Sequence, residues 1–113
     1  MTDNITITHA EGTWVVRVAG AVLGESQNAL SMQEGDFPEV IYFPRSDIAM
    51  AFLEPSDTKT DCPHKGTASY FSIEAKSGTL TDAVWTYEQP LAGIKDIAGY
   101  LAFHGEKVAI EQV

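Results

Sequence analysis

The chain has 113 residues and a formal net charge of −9, from 16 acidic and 7 basic side chains. Because 44% of the residues are hydrophobic, the composition excludes a disordered chain, which combines low hydrophobicity with high net charge. The few bases form no stripe that could neutralise phosphates, so we expect no nucleic-acid partner and no binding to anionic membrane surfaces. The length predicts one domain, spanning residues 1–113.

The cysteine content and the amino-terminal residues indicate the cellular compartment in which the protein is expected. Cys62 is the only cysteine, which excludes an intramolecular disulfide and a multi-cysteine zinc site. Residues 1–4 lack the basic and then apolar pattern of a signal peptide, and no apolar run reaches the ~20 residues that span a bilayer. His9 and His104 lie far from Cys62 and match no spaced metal motif. We therefore expect a cytoplasmic protein without a metal or a cofactor.

Short runs of strand-forming residues follow one another through the first half of the chain. Branched and aromatic residues predict strands at 5–8, 14–19 and 40–43, with a weaker strand at 29–32. The connections are shorter than parallel crossovers require, which favours antiparallel pairing. The predicted fold class is mainly β: a single compact domain of antiparallel strands with one or two short helices.

Helix signals are brief. Ser46 and Asp47 can cap a helix over residues 48–53, which Pro55 would stop, and a further helical turn is predicted at 94–98. Residues 101–103 and 108–110 are predicted to form closing strands.

Residues 67–73 and 81–88 predict the clearest hairpin. If Ser77-Gly78 forms its turn, one face is aromatic and partly polar and the other aliphatic, because side chains alternate along a strand. The expected opposite pairs are Tyr70 with Trp85, Ala68 with Tyr87 and Ser72 with Ala83 on the first face, and Phe71 with Val84 on the other.

The strongest concentration of reactive groups is the run Asp61-Cys62-Pro63-His64-Lys65-Gly66. A thiol is a nucleophile only as the thiolate, and a nearby cation such as His64 or Lys65 can lower its pKa. Gly66 permits a positive φ or a close approach to a ligand. The segment could thus hold an activated thiol or bind an anion. The alternative is that Cys62 is a small buried hydrophobe, as free cysteine often is, and the local sequence taken alone favours that alternative.

Two further groups could contribute to a site. Arg45 offers a planar fork for a carboxylate or phosphate, and Asp47 follows it at the start of a predicted helix; an internal Arg45–Asp47 ion pair is the alternative. Tyr70, Trp85 and Tyr87 would give a hairpin face that combines apolar area with hydrogen-bonding groups, which suits a ligand pocket or simply a core.

Two motifs are similar to those of a known family: Tyr42-Phe43-Pro44-Arg45-Ser46-Asp47, and Cys62-Pro63-His64-Lys65-Gly66 followed by Ala68 and Tyr70. Further matching segments run in order through nearly the whole chain: Arg17-Val18, Gly24-Glu25-Ser26, Ala29-Leu30 with Glu34, Ala83-Val84-Trp85-Thr86-Tyr87 with Pro90, and Gly99-Tyr100-Leu101-Ala102-Phe103 with Val108. By these residues the chain resembles DUF427, a small bacterial domain of unknown function.

The resemblance implies a compact, mostly β fold, related to the tent-like β-sheet domains. DUF427 carries a nucleotidyltransferase-style name, but this sequence has no closely spaced pair of carboxylates to hold Mg²⁺ against a triphosphate. Zinc-binding members of tent-like folds use cysteine pairs, which this chain lacks, so no metal is carried over. Glu25-Ser26 stands where the family pattern has Asp-Ser.

The residues that recur in the family pattern are the first candidates for function: Arg45, Asp47, Cys62, Lys65, Tyr70, Trp85 and Tyr87. The leading hypothesis is a small-molecule binding domain with a pocket formed by the 44–47 corner, the 62–66 loop and the aromatic hairpin face. Lys65 and Arg45 would contact an anionic group. The second hypothesis is a thiol-dependent enzyme or redox protein that uses Cys62, and the third is a protein-interaction module. The oligomeric state stays open.

Overall fold

The computed structural model describes residues 4–113. Residues 1–3, which belong to the predicted domain and to the amino terminus from which the localisation was predicted, lie outside the described residues. The described chain forms ten strands: β1 (Ile5–His9), β2 (Trp14–Val18), β3 (Ala21–Ser26), β4 (Leu30–Glu34), β5 (Val40–Tyr42), β6 (Leu53–Cys62), β7 (Gly66–Ala75), β8 (Gly78–Thr86), β9 (Leu101–Phe103) and β10 (Ala109–Gln112). Short 3₁₀ segments cover Arg45–Asp47, Met50–Phe52 and Ala92–Ile97. No helix in this described range is long and apolar enough to cross a membrane.

The strands form three antiparallel sheets within residues 4–113. Their orders are β1-β4-β5, β10-β2-β3 and β6-β7-β8-β9. A single backbone bridge between Phe43 and Leu101 links the first sheet to β9 of the third. The predicted fold class, mainly β with antiparallel strands and few short helices, is confirmed.

The four-stranded sheet separates two apolar clusters because its side chains alternate between faces. The aliphatic cluster contains Ile73 and Val84 from this sheet together with Val16 and Leu23 of the sheet formed by β10, β2 and β3. The aromatic cluster contains residues of the opposite face, together with residues of the sheet formed by β1, β4 and β5: Ala68, Tyr70, Trp85, Tyr87, Ala102, Met32 and Tyr42.

The β7–β8 hairpin keeps the predicted register where the aromatic residues lie. Tyr70 pairs with Trp85, and Phe71 with Val84, as predicted. The turn differs, since Ala75 pairs with Gly78 and the turn residues are therefore 76–77 rather than 77–78.

A β-bulge in β8 explains why Tyr70 still pairs with Trp85 although the turn lies one residue earlier than predicted. Ser72 faces residues 81–83 instead of pairing with Ala83, and its hydroxyl accepts a 3.1 Å hydrogen bond from the Asp82 amide. Asp82 has a φ of 52°, which is typical of an irregular position and which aspartate tolerates better than most residues. The bulge restores the pairing of Tyr70 with Trp85.

The predicted helix over 48–53 is wrong. Two 3₁₀ turns, Arg45–Asp47 and Met50–Phe52, flank an extended Ile48 with φ −113° and ψ 141°. Ile48 forms a β-bridge with Gly24, and the amide of Ala49 donates to the carbonyl of Leu23 at 2.9 Å. Pairing with β3 and burial of the Ile48 side chain replace helix continuation here. Pro55, expected to stop that helix, lies in β6, which borders its sheet.

Candidate functional site

The 63–65 segment is a tight turn that joins β6 to β7. Cys62 pairs with Gly66 across it, and the amide of Lys65 donates to the Cys62 carbonyl at 3.2 Å. Gly66 has a φ of 114°, a backbone conformation that favours glycine. The carbonyl of Lys65 accepts from the amide of Leu91 at 3.0 Å, which fixes the turn against the 89–91 loop. This backbone holds the Lys65 side chain in place.

Lys65 makes the central polar contact of the site. Its Nζ lies 2.7 Å from Oε1 of Glu34 at the end of β4, and it donates to Sγ of Cys62 at 3.7 Å. Both ion-pair partners are mostly buried, since only 16% and 18% of the Lys65 and Glu34 side chains are exposed. Burial by itself lowers the pKa of Lys65, but the hydrogen bond to Glu34 and the charges of Cys62, Glu34 and Tyr42 outweigh it and raise that pKa. The ammonium ion is therefore the stable form of Lys65.

A small cavity of about 100 Å³ lies beside this ion pair. The 35–39 connection and the β4, β5 and β8 strands surround it, and its lining residues are Met32, Glu34, Phe37, Pro38, Val40, Tyr42, Lys65 and Trp85. The indole N–H of Trp85 donates to the Tyr42 hydroxyl at 3.3 Å. Because one water occupies about 30 Å³ in the liquid, this volume suits a group of a few heavy atoms.

Tyr42 lines the cavity, and Tyr87 lies in the aromatic cluster that also contains Tyr42. Burial raises the pKa of Tyr42 to about 12, and the Trp85 hydrogen bond only partly opposes that effect. Burial also raises the pKa of Tyr87 to about 12, with further contributions from the neighbouring Cys62, Tyr70 and Glu34. Both phenols thus stay neutral well above physiological pH and can donate or accept hydrogen bonds.

The predicted aromatic face and the predicted loop come together. Lys65 and Trp85 line the cavity, and Cys62, half-buried, contacts Lys65. Tyr70 and Tyr87 pack in the aromatic cluster behind it, where the Tyr70 hydroxyl lies 3.0 Å from Oγ1 of Thr60. His64 and Gly66 belong to the turn that carries Lys65, and His64 is half-buried. Roles for these residues in ligand binding remain predictions.

The 44–47 corner does not line this cavity. The Arg45 guanidinium donates to the carbonyl of Gly99 at 2.8 Å, forms an ion pair with Glu88 and lies 5.5 Å from the centre of the Phe71 ring. Asp47 accepts a 2.7 Å hydrogen bond from the buried Ser26 hydroxyl. The two side chains hold different parts of the fold together, and ligand contacts for Arg45 and Asp47 remain a prediction.

Sequence reasoning missed Glu34 and Tyr42 as site residues. The sequence did contain a signal for Glu34. Met32 and Glu34 are two positions apart in β4, so their side chains point to the same face of the sheet. Leu30 pairs with Tyr42 and Met32 with Val40, which places Tyr42 beside that face. Glu34 and Tyr42 both belong to the segments that resemble the family. Their meeting with Lys65 depends on how two sheets pack.

Metal ligands do not cluster in the described part of the chain. No three His, Cys, Asp or Glu side chains within residues 4–113 lie close enough together to hold a metal ion. The polar groups at the cavity are one carboxylate, one ammonium ion, a phenol and an indole N–H. Such a set offers charge and hydrogen bonds.

Comparison with known proteins places the chain in one family. The model of the family described as "Domain of unknown function (DUF427)", labelled NTP_transf_9, matches residues 6–113. No curated protein matches the chain. The match covers nearly the whole sequence, as the motifs around Tyr42 and Cys62 predicted. The chain belongs to the DUF427 family.

Proposed function

We propose that this chain binds a small molecule that carries an anionic group, in the cavity formed by Lys65, Glu34, Tyr42 and Trp85. The observation that carries the proposal is a mostly buried lysine at the wall of an aromatic cavity. Lysine is rarely buried to this degree, and an ammonium ion in such surroundings attracts a carboxylate or phosphate more strongly than one in water. Ligand pockets combine a few charged groups of this kind with aromatic walls.

Glu34 serves as the internal counter-ion of Lys65. An arriving anionic group would take over one of the three donors of the Lys65 ammonium or displace the Glu34 carboxylate. The ion pair keeps the buried lysine charged while the cavity is empty, which lowers the cost of preparing the site. Glu34 and the ligand therefore compete for one cation.

The size of the cavity limits what enters it. A volume of about 100 Å³ holds a carboxylate or phosphate head but not a whole drug-sized molecule, whose pockets measure about 300–1,000 Å³. The remainder of the ligand would lie over Phe37, whose side chain is 67% exposed at the rim. An aromatic or planar body suits this surface because stacked rings gain energy beyond area burial.

Thermal-shift measurements with a library of small carboxylates and phosphates test the proposal. A binding compound should raise the melting temperature of the native protein, since it stabilises only the folded state. Lys65→Met should abolish that rise. Lys59→Met is the matched control, because Lys59 is exposed and donates to Ser69 at 3.1 Å, outside the lining of the cavity. The proposal is wrong if no anion stabilises the protein, or if Lys65→Met leaves the shift intact.

The Glu34→Gln variant tests the competition separately. Removing the internal carboxylate while retaining a similar shape should tighten binding of a simple anion. A ligand that bridges both charges, such as an amino acid, should instead bind more weakly to Glu34→Gln. Either change, measured by calorimetry on a compound from the library, shows which part of the cavity the ligand contacts.

A second function, thiol chemistry at Cys62, is favoured by one contact. The ammonium of Lys65 donates to Sγ of Cys62 at 3.7 Å, and the thiol is half-buried rather than fully enclosed. Nucleophilic function requires rapid alkylation by iodoacetamide at neutral pH, with a large loss of rate in Lys65→Met. A rate that rises only near the pKa of an ordinary thiol, about 8.5, would exclude this function.

A further inference from the structure

A second, larger cavity of about 400 Å³ lies on the other side of the four-stranded sheet, away from Lys65. It lies between the β2–β3 hairpin, Phe52 and the end of β7, and its lining residues are Val18, Ala19, Ala21, Val22, Leu23, Phe52, Ile73, Glu74, Ala75 and Lys76. Its volume falls in the range of about 300–1,000 Å³ that is typical of sites for small organic ligands. We call it the apolar cavity.

The floor and rim of the apolar cavity differ. Val18, Leu23 and Ile73 form part of the aliphatic core and are at most 7% exposed. Val22 and Phe52 are 50% and 53% exposed, so two large apolar side chains lie open at the entrance. A ligand body that covered them would remove apolar surface from water, at about 25 cal/mol per Å².

This cavity is separate from the site at Lys65. Ile73 on its floor belongs to the aliphatic cluster, whereas Trp85 belongs to the aromatic cluster on the opposite face of the sheet. The two cavities have no lining residue in common. Binding at the two cavities should therefore perturb different residues and can be measured separately.

The two charged residues at the apolar cavity are not equivalent. The Glu74 carboxylate accepts a 2.7 Å hydrogen bond from the Thr79 hydroxyl. Lys76 is exposed at the hairpin turn, and within residues 4–113 it has no carboxylate within ion-pair distance. The rim thus carries one charge of each sign, and the Lys76 ammonium is the one that can pair with an anionic ligand.

We propose that the apolar cavity is a second binding site, and that it takes an apolar carboxylic acid. The hydrocarbon body would lie over Leu23 and Ile73 and beneath Phe52 and Val22, and the carboxylate would reach the Lys76 ammonium at the rim. The large apolar lining supplies the affinity and the single unpaired cation orients the ligand. The charge complementarity at Lys76 distinguishes this ligand from a neutral hydrocarbon.

Titration with decanoate, followed by two-dimensional amide NMR of the native chain, tests the site. Resonances of Ala19, Ala21, Val22 and Ala75 should shift in a saturable manner, and they should do so equally in Lys65→Met, in which the small cavity has lost its cation. Decanol, which has a similar body without the charge, should bind at the same residues more weakly. Absence of saturable shifts at the apolar cavity overturns the proposal, as does a decanoate response confined to residues near Lys65.

Two pairs of variants separate the body of the ligand from its charge. Val22→Glu should abolish decanoate binding, whereas Val113→Glu, also at an exposed apolar residue, should leave it unchanged. Lys76→Ala should weaken decanoate about threefold, the usual value of one exposed ion pair, and leave decanol unaffected. Lys95→Ala is its control, as Lys95 is exposed and lies outside the cavity lining. Equal decanoate affinity in Lys76→Ala and Lys95→Ala would overturn the assignment of the carboxylate to Lys76.

The mass of the protein in solution tests the competing possibility, which is that a second copy of the chain fills the apolar cavity. Analytical ultracentrifugation across a range of protein concentrations should give the monomer mass, with and without decanoate. A dimer that dissociates when decanoate is added, or that Val22→Glu abolishes, would show that a second copy fills the apolar cavity and would refute the ligand proposal.

Discussion

The Lys65 ammonium lies 2.7 Å from the Glu34 carboxylate and ties the 63–65 turn to the end of β4. The residues are on different sheets, since β4 lies between β1 and β5, and the turn joins two strands of the four-stranded sheet. This ion pair thus joins two walls of the small cavity, together with the hydrogen bond from Trp85 to Tyr42 and the bridge between Phe43 and Leu101.

Breaking this ion pair should destabilise the protein. Lys65→Met leaves the mostly buried Glu34 carboxylate without its partner, and we expect a loss of about 1–3 kcal/mol in the free energy of unfolding. Urea denaturation measures it. The double variant Lys65→Met, Glu34→Gln should recover part of the loss, because no unpaired charge remains buried. Glu111→Gln is the control, since its pair with Arg17 is exposed and should contribute less than about 1 kcal/mol.

High pH should destabilise the protein through its buried tyrosines. The pKa values of Tyr42 and Tyr87 are about 12 in the folded state against an ordinary 10.0, so the unfolded chain releases these protons first. The stabilisation is fully present below about pH 10 and is lost as the pH rises through about 12. Lys65, whose folded pKa is also raised, acts in the same direction above its ordinary 10.5.

Urea denaturation between about pH 9 and 12 measures this effect. Each tyrosine contributes a fall of up to about 1.4 kcal/mol per pH unit in the free energy of unfolding. Tyr87→Phe should have a shallower decline than the wild type because one titrating phenol is removed. Identical slopes in the two proteins would contradict the prediction.

Gly24 is required for β3 to approach the 44–48 corner. A Cβ built there would lie 2.4 Å from Cδ1 of Ile48 and 2.6 Å from the Asp47 carbonyl oxygen. Because one obstacle is backbone, we expect Gly24→Ala to cost about 1–3 kcal/mol, measured by thermal and urea denaturation. Gly105→Ala is the matched control, since a Cβ there meets nothing within 4 Å, and it should change the stability little.

Variants of Asp47 can distinguish a structural role of this residue from a role in ligand binding. Asp47→Ala removes the acceptor of the buried Ser26 hydroxyl and should cost about 1–3 kcal/mol. Asp47→Asn keeps an acceptor oxygen and should be milder. If Asp47 also contacts the ligand, as the sequence predicted, Asp47→Asn should change the dissociation constant of an anionic ligand, because a charge at the site is removed. Unchanged affinity would leave Asp47 a structural role only.

Alternation of side chains allowed the aromatic hairpin to be predicted. Tyr70, Phe71, Val84 and Trp85 occupy the predicted faces because burial selects side chains at every second position. β6 was missed since it borders its sheet and is largely exposed, so its sequence carries charges and Pro55 in place of an apolar pattern. β3 was also missed, because Gly24 interrupts its run of strand-forming residues.

The candidate site was predictable in part. The sequence placed Lys65 and Trp85 at one pocket because their segments carry charge and aromatic area. It gave no distance between Lys65 and Glu34, which depends on packing between sheets. Arg45 was assigned to the same pocket on its chemistry and its place in the family pattern. Its hydrogen bond to the Gly99 carbonyl follows from a long-range approach that no local pattern encodes.

The bulge at residues 81–83 also determines where the hairpin can be altered. Continuing the pairing of Ile73 with Leu80 without it would place Trp85 opposite Ala68 instead of Tyr70. Residues 76–77 at the turn lie beyond the bulge, so a peptide inserted there should leave Trp85 beside Tyr42 and Lys65. A deletion within 81–83 should shift Trp85 along β7 and displace the wall of the cavity. The turn, where an insertion leaves the small cavity intact, and the strand that forms the wall of that cavity are thus divided within one hairpin, with Asp82 at the boundary.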